Sequence, residues 1–428
     1  VLIGISLAFT NSVMQTIQVF EHESIYSYAN KSGRFVTSGQ LDKLYRFNDE
    51  NGNKYFTGIR NGIRFNSYVG VIQVGNLIIE ILPKIDKVKS EDDSSKKQWH
   101  NALLQMLAIC KKIKIDSFYD AQLAFRNKSL LEIYFKQYLD EIEGLIRLGL
   151  IKKYHLNSGN LFAWKGRMDF GKNIQQNLVH QERFYTHHQT YDHEHLINQI
   201  LLYALNILKS LVNDSGLKDK TVRLLMSFPE IKSIPIQEFH FNQIQPSRKT
   251  VPYNQALMLA KMIILNYSPD ISAGNENLLA LLFDMNKLWE EYIYRMLIRD
   301  IPVDYEIIYQ DGQRFWENRT IRPDLVIRHS LADDKKETYV IDTKWRIPEN
   351  NQPSDDELKQ MYAYNIYWDA PKSILLYPEI TPQSEYFGHF HKGRADQNSC
   401  KVAFVSIFDQ NGLLDKNIGN SIFSKLHN

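Results

Sequence analysis

Cysteine is nearly absent from this chain: Cys110 and Cys400 are the only two in 428 residues. That is too few for a disulfide framework or a zinc cluster, and it suits a reducing, cytoplasmic setting. Excess charge of either sign is also missing. Fifty-one Lys and Arg face 49 Asp and Glu, a formal net charge of +2. Overall charge therefore does not mark a nucleic-acid binder, and any such contact must come from local patches. No apolar run is long enough to span a bilayer, so no membrane association is expected. The opening stretch, Val1 to Phe9, is apolar but ends at Thr10-Asn11 and has no basic region before it. It reads as a first strand and not as a signal remnant. The missing initiator Met suggests a reading frame that begins earlier. Internal repeats and low-complexity tracts are absent.

What is present is ordinary globular composition, 43% hydrophobic and 23% charged. The length calls for two or three domains, and the pattern is α+β. From Val1 to about Pro83 the signals are β, with Asn61-Gly62 and Gly75-Asn76 placed as hairpin turns between apolar runs. Lys84 to Lys97 reads as an exposed loop, and the pattern from Lys96 to about Leu150 is helical. Leu161 to about Tyr267 looks mostly helical, with Ile197, Ile200, Leu201, Ala204 and Leu208 forming one stripe. Pro269 to Asn275 is the expected linker. These readings give a β-rich and helical N-terminal docking domain (1–155), a helical middle region (156–270) and a C-terminal α/β domain (271–428) with a mixed sheet flanked by helices.

The chemistry concentrates in that last domain. Arg322-Pro323-Asp324-Leu325 is followed, after a polar loop, by Tyr339-Val340-Ile341-Asp342-Thr343-Lys344-Trp345. On a strand, Val340, Asp342 and Lys344 share one side, and Tyr339, Ile341, Thr343 and Trp345 share the other. An acid and a lysine side by side at the end of an apolar strand need a reason to be there. Metal-dependent phosphodiester cleavage supplies one. Carboxylates hold Mg²⁺ together with waters and the substrate phosphate, the ion acidifies a bound water, and an ammonium stabilises developing negative charge. Asp324 and Asp342 are the natural ligands, with the Thr343 carbonyl as a third and Lys344 beside the water. A plain surface hairpin with a turn aspartate is the alternative for the two short pieces alone.

Two flanking helices add to this pattern. Upstream, Leu282, Met285, Trp289, Tyr292 and Met296 recur at helical spacing, and Glu290 lies on the shoulder of that stripe. Downstream, Ser354-Asp355-Asp356-Glu357 is a capping box, with acids at the positive end of the helix dipole. On that helix Gln360 and Tyr364 are one turn apart and share a face.

The order Glu290, Asp324, Asp342-x-Lys344, Gln360-x-x-x-Tyr364 resembles the PD-(D/E)XK nuclease superfamily in its Gln-x-x-x-Tyr branch. The resemblance implies that Glu290, Asp324 and Asp342 bind Mg²⁺, that Lys344 assists the water, and that Gln360 and Tyr364 support. Phe283-Asp284-Met285 through Leu288-Trp289-Glu290-Glu291-Tyr292-Ile293 is similar to a signature of McrC proteins, nuclease subunits of McrBC modified-cytosine restriction systems. Further strings are similar to the same family: Tyr68 to Gln73, Leu77 to Lys84, Lys165 to Phe170, and Tyr191 to His195 with Asn198. This resemblance runs from about Tyr68 to about Tyr377. It implies a partner, a hexameric AAA+ McrB-type GTPase that reads 5-methylcytosine in double-stranded DNA and carries the GTP. This chain would dock on it through its N-terminal region, stimulate the GTPase and cut the DNA. A non-catalytic adaptor with a decayed nuclease fold, or a nuclease working alone, are the alternatives.

Candidate basic patches for DNA are Arg314, Arg319, Arg322 and Arg328 around the first catalytic strand, and Lys111, Lys112 and Lys114, with an ordinary solvated face as the commoner alternative for either. Two other patterns are set aside. Gly166 to Lys172 fits the first seven places of a phosphate-binding loop, but Asn173 cannot supply the hydroxyl expected on Mg²⁺. His187, His188, His193 and His195 cluster without zinc spacing and read as polar packing, and Asp192 reads as an N-cap.

Overall fold

The structure, a computed structural model, describes residues 15–28, 34–85, 93–113, 129–268, 277–330, 336–379, 382–391 and 398–427. The expected first strand, Val1 to Phe9, and the expected linker at Pro269 to Asn275 lie outside them. The chain divides into two compact units. One joins Val1–Leu130 with Leu282–Asn428, and the other is Leu131–Leu281.

The first unit opens with β1 (Gln15–Phe20), β2 (Ser24–Tyr26), α1 (Ser38–Glu50), β3 (Phe56–Ile59), β4 (Gly62–Phe65), β5 (Tyr68–Val74), β6 (Leu77–Leu82) and α2 (Asp93–Ile109). β5 and β6 form an antiparallel hairpin through Gly75-Asn76, and β1 adds to β6 in parallel. The small sheet β2-β4-β3 turns at Asn61-Gly62. A Cβ on Gly62 would sit 2.3 Å from the Ile25 carbonyl oxygen, so only glycine fits this close strand pairing. One expectation fails here, because α1 interrupts the β region. Its signals were present: Thr37 and Gln40 form a capping box, and Leu41, Leu44 and Phe47 are buried along one face. The expected loop at Lys84 to Lys97 is likewise too long, since α2 begins at Asp93 and buries Lys96.

The second unit holds α3 (Leu130–Leu148), β7 (Lys153–Leu161), β8 (Arg167–Met168), α4 (Phe170–Asn177), β9 (Phe184–Asp192), α5 (Leu196–Leu211), α6 (Ser215–Ser227), α7 (Glu238–Asn242), α8 (Asn254–Leu265) and β10 (Tyr267–Ser268). The α5 stripe is as read: Ile197, Ile200, Leu201, Ala204 and Leu208 are all buried. The mostly helical expectation misses β9, which pairs with β7 along its whole length. Its run of Phe, Tyr, Thr and His suits a pleated, half-buried surface better than a helix.

β11 (Leu278–Asp284) leads back to the first unit, followed by α9 (Met285–Arg299), β12 (Tyr305–Tyr309), β13 (Gln313–Trp316), β14 (Arg319–Ile321), β15 (Leu325–Ser330), β16 (Lys336–Thr343), α10 (Asp355–Tyr367), β17 (Lys372–Glu379), β18 (Tyr386–His389), β19 (Ser399–Ser406) and α11 (Ile418–His427). Helix α9 starts at Met285 with Asp284 as its N-cap, so Leu282 belongs to β11 and not to the helical stripe. A six-stranded mixed sheet runs β12-β15-β16-β17-β19-β18. β15 and β16 are antiparallel, whereas β16, β17 and β19 are parallel neighbours.

Helix α10 crosses between β16 and β17 and covers one face. There Val326, Val340, Met361, Tyr364, Leu375, Tyr377 and Phe404 form a closed core. On the other side of β16, Trp345 packs on Trp289 and Trp99, with ring centroids 5.2 and 6.3 Å away. The α10 start follows the capping box. Ser354 N–H donates to Glu357 Oε2 at 2.8 Å, and Glu357 N–H donates to Ser354 Oγ. Ser354→Ala is therefore expected to lower stability by about 1 kcal/mol in urea unfolding. An unchanged midpoint and slope would show that the cap contributes nothing.

Candidate active site

The antiparallel β15–β16 register pairs Leu325 with Ile341, which brings Asp324, just before β15, to the end of β16 at Asp342 and Thr343. Asp324 Oδ2 accepts from the Thr343 N–H at 2.7 Å and from its hydroxyl at 2.9 Å. Thr343 thus takes part through its N–H and hydroxyl, a role that the sequence reading did not assign. Asp342 is 2% exposed. Its Oδ2 lies 2.5 Å from Lys344 Nζ as an ion pair and takes no hydrogen bond of good geometry. Val340, Asp342 and Lys344 turn toward α10, while Trp345 turns the opposite way. Trp345 Nε1 donates to Glu21 Oε1 at 2.7 Å, and the same oxygen accepts from the Lys84 N–H.

Gln360 and Tyr364 join the same network. Lys344 Nζ donates to Gln360 Oε1 at 3.3 Å, and Gln360 Nε2 donates to the Tyr364 hydroxyl at 2.7 Å. The hydroxyl donates in turn to the Arg322 carbonyl at 2.9 Å. One directed chain thus connects the ammonium to the backbone two residues before Asp324. Glu290 reaches the group from α9. Its Oε1 accepts from Gln310 Nε2 at 2.6 Å, and the Gln310 N–H donates to the Asp324 carbonyl. Gln310 adopts φ +52°, a left-handed turn at which one residue holds the Glu290 carboxylate and the Asp324 backbone. Nothing in the local sequence marks it.

The electrostatics follow from burial. Asp342 is pushed up to about 7 by desolvation and then by the neighbouring Asp324 charge, with Lys344 acting the other way. Asp324 is pushed up to about 6 by desolvation and then by Glu290, opposed by the Thr343 hydrogen bonds and Lys344. Glu290 is raised by burial, with Asp342 adding to it and Gln310 opposing. Oxygen donors that repel one another and face one lysine form a set suited to a hard divalent cation. Among the described residues, no three of His, Cys, Asp and Glu cluster closely enough to cage a metal alone. Mg²⁺ does not require such a cage, because it keeps waters and takes one or two carboxylates plus substrate oxygens. The residues present therefore fit Mg²⁺, with Asp324 and Asp342 as the inner pair and Glu290 beside them.

Other sequence candidates go elsewhere. Arg328 pairs with Glu306 at 3.7 Å and Lys112 with Glu291 at 3.0 Å, and Lys114 lies outside the described residues. His187 faces Asp169 at 3.2 Å, and His188 faces Thr186. The N-cap of α5 is His195, which accepts from the Ile197 N–H, and not Asp192, which accepts from Glu194 N–H. Asp169 caps α4, so a carboxylate already occupies the helix end where a phosphate would bind. No helix of the described residues is long and apolar enough to cross a membrane.

A family model described as McrBC 5-methylcytosine restriction system component matches residues 63–378. No curated protein matches. Among solved structures, a refined half-complex from a tetradecameric assembly of Thermococcus gammatolerans McrB AAA+ hexamers with bound McrC contains a similar chain. The TM-score is 0.70 at 20% identity, over 96% of this chain and 100% of that one. A cryo-EM structure of the Thermococcus gammatolerans McrBC complex gives 0.51 at 21% identity, over 67% of this chain and 88% of that one. At these identities the likeness is one of fold.

A raised carboxylate pKa means that the folded chain holds protons the unfolded chain has released. Between about pH 4 and 7 metal-free stability therefore falls as pH rises. A divalent cation bound to the ionised pair would reverse this. At pH 8, Mg²⁺ at roughly a hundred times its dissociation constant is expected to add on the order of 2–3 kcal/mol, with a much smaller gain at pH 5. Asp342→Asn is expected to abolish the response. Thermal unfolding with and without Mg²⁺ checks this, and an equal shift in Asp342→Asn would contradict it.

Proposed function

We propose that this chain, which belongs to the family of McrBC 5-methylcytosine restriction system components, is an Mg²⁺-dependent DNA endonuclease subunit that works with a McrB-type AAA+ GTPase hexamer. The supporting observation is the meeting, at the end of β16, of two bonded groups, Glu290 and Asp324 through Gln310, and Asp342, Lys344, Gln360 and Tyr364, whose carboxylates raise one another's pKa. An adaptor with a decayed site has no use for two acids buried against each other and one lysine, since a lone buried carboxylate is costly.

Asp324, Asp342 and Glu290 would hold the ion, with the Thr343 carbonyl as a further oxygen donor. Mg²⁺, when bound, acidifies a ligated water and screens the scissile phosphate. The chain's own residues do the positioning. Thr343 fixes the Asp324 carboxylate, and Gln310 fixes Glu290. Lys344 would orient the attacking water and stabilise charge growing on the phosphate oxygens. Gln360 accepts from Lys344 and itself donates to the Tyr364 hydroxyl, so the ammonium would stay where that charge develops. Recognition of modified cytosine, GTP binding and translocation are assigned to the partner, which is consistent with a chain of nearly neutral net charge. The resemblance also assigns this chain stimulation of the partner's GTPase.

Asp342→Ala and Lys344→Ala are expected to reduce cutting of methylated plasmid by at least about 10²-fold, with partner, GTP and Mg²⁺ present. Partner binding and GTPase stimulation should stay at wild-type levels. Unimpaired cutting in both variants would refute the site, and GTPase stimulation without cutting by the wild type would favour an adaptor. Robust cutting by the chain alone would favour an independent nuclease.

A further inference from the structure

Between Glu290 and Asp324 the chain makes an excursion that the network above does not use. β13 and β14 form a two-stranded antiparallel ribbon, separate from the six-stranded sheet. Arg314 pairs with Thr320 and Trp316 with Arg319, and a register shift lies between Arg314 and Trp316. Such bulges re-aim side chains beside functional sites. Every residue from Arg314 to Thr320 is exposed. Phe315 and Trp316 are 51% and 61% accessible. Arg314 and Arg319 make no ion pair among the described residues. Glu317, at φ +45°, occupies the turn.

Both feet of the ribbon are fixed to the candidate site. On entry, Gln310 holds Glu290 and the Asp324 carbonyl, and Asp311 Oδ2 accepts from Trp368 Nε1 at 2.9 Å. On exit, Ile321 leads to Arg322, whose carbonyl is held by Tyr364, and then to Asp324. Between the feet, Phe315 packs on Tyr367 of α10 at 5.8 Å, leaving Arg314, Trp316 and Arg319 outward. Exposed aromatic surface without a partner is unfavourable unless something covers it. Two free guanidinium groups next to a phosphodiester-cutting site favour a polyanion.

We propose that the β13–β14 ribbon is a DNA-binding element that enters a groove of the duplex beside the scissile phosphate. In this role Arg314 and Arg319 contact flanking phosphates, and Trp316 lies against the base edges or wedges at a base step. A two-stranded ribbon has the width that the major groove admits, and apolar wedges with basic neighbours are a known way to hold bent duplex. The element rests on the reading of the chain as acting on DNA and extends it. The partner selects the target, and the ribbon sets where the phosphate sits relative to Asp324, Asp342 and Lys344.

The test is binding of a fluorescein-labelled DNA duplex to the full chain, alone and with the partner, in metal-free buffer across a salt series. Because no cutting is needed, its outcome is independent of whether Asp342→Ala abolishes catalysis. Arg314→Ala with Arg319→Ala should weaken binding about tenfold or more and reduce the slope of log affinity against log salt by about 2. Arg314→Lys with Arg319→Lys should restore the slope. Trp316→Ala should weaken binding severalfold with the slope unchanged. GTPase stimulation should be wild-type throughout. Unchanged affinity and slope in the alanine variants, or no duplex binding by the wild type, would overturn the proposal. Loss of GTPase stimulation with DNA affinity intact would also overturn it, by assigning the ribbon to the partner.

Discussion

Like charges buried beside one another at the end of a sheet set the terms for the rest of the first unit. Asp342 is almost fully buried, Asp324 is half-buried, and each of these acids is destabilised by water loss and by a neighbouring carboxylate. Removing a carboxylate from water costs several kcal/mol even after relaxation. One ammonium, Lys344, offsets part of this. The Thr343 N–H and hydroxyl offset another part at Asp324, as does the Gln310 amide at Glu290. Under the proposed function, the balance would be completed by a cation and a substrate phosphate.

The geometry that keeps those groups together is distributed widely. Tyr364 holds the backbone ahead of Asp324 from α10. Glu357 caps α10 and also accepts from Arg346 and from the Tyr377 hydroxyl, so the helix end, the segment after β16 and β17 meet on one carboxylate. Trp345 reaches the other way to Glu21, a residue 324 positions earlier in the chain. The N-terminal strands and β16 therefore belong to one packed unit.

Legibility in the sequence followed the range of the interactions. The Ser354 capping box, the Gly75-Asn76 turn, the α5 stripe and the split of Asp342 and Lys344 from Trp345 across β16 are local patterns, and the structure shows each of them. Helix α1 carried a readable cap and stripe but sat within β signals. The β7–β9 pairing, Gln310 and the Glu21–Trp345 bond depend on partners far along the chain, and no window of residues reports them. The ribbon lay in view as arginines around the Asp324 strand, but its exposure and its anchoring required coordinates.

The central claim, that buried acids at the end of β16 form a divalent-cation site, is tested most directly by diffraction from crystals soaked in Mn²⁺. One anomalous peak about 2.0–2.3 Å from oxygens of Asp324 and Asp342 is expected, and it should be absent in Asp342→Asn crystals. A peak elsewhere, or none at the site with Lys344 still against Asp342 at saturating Mn²⁺, would contradict it.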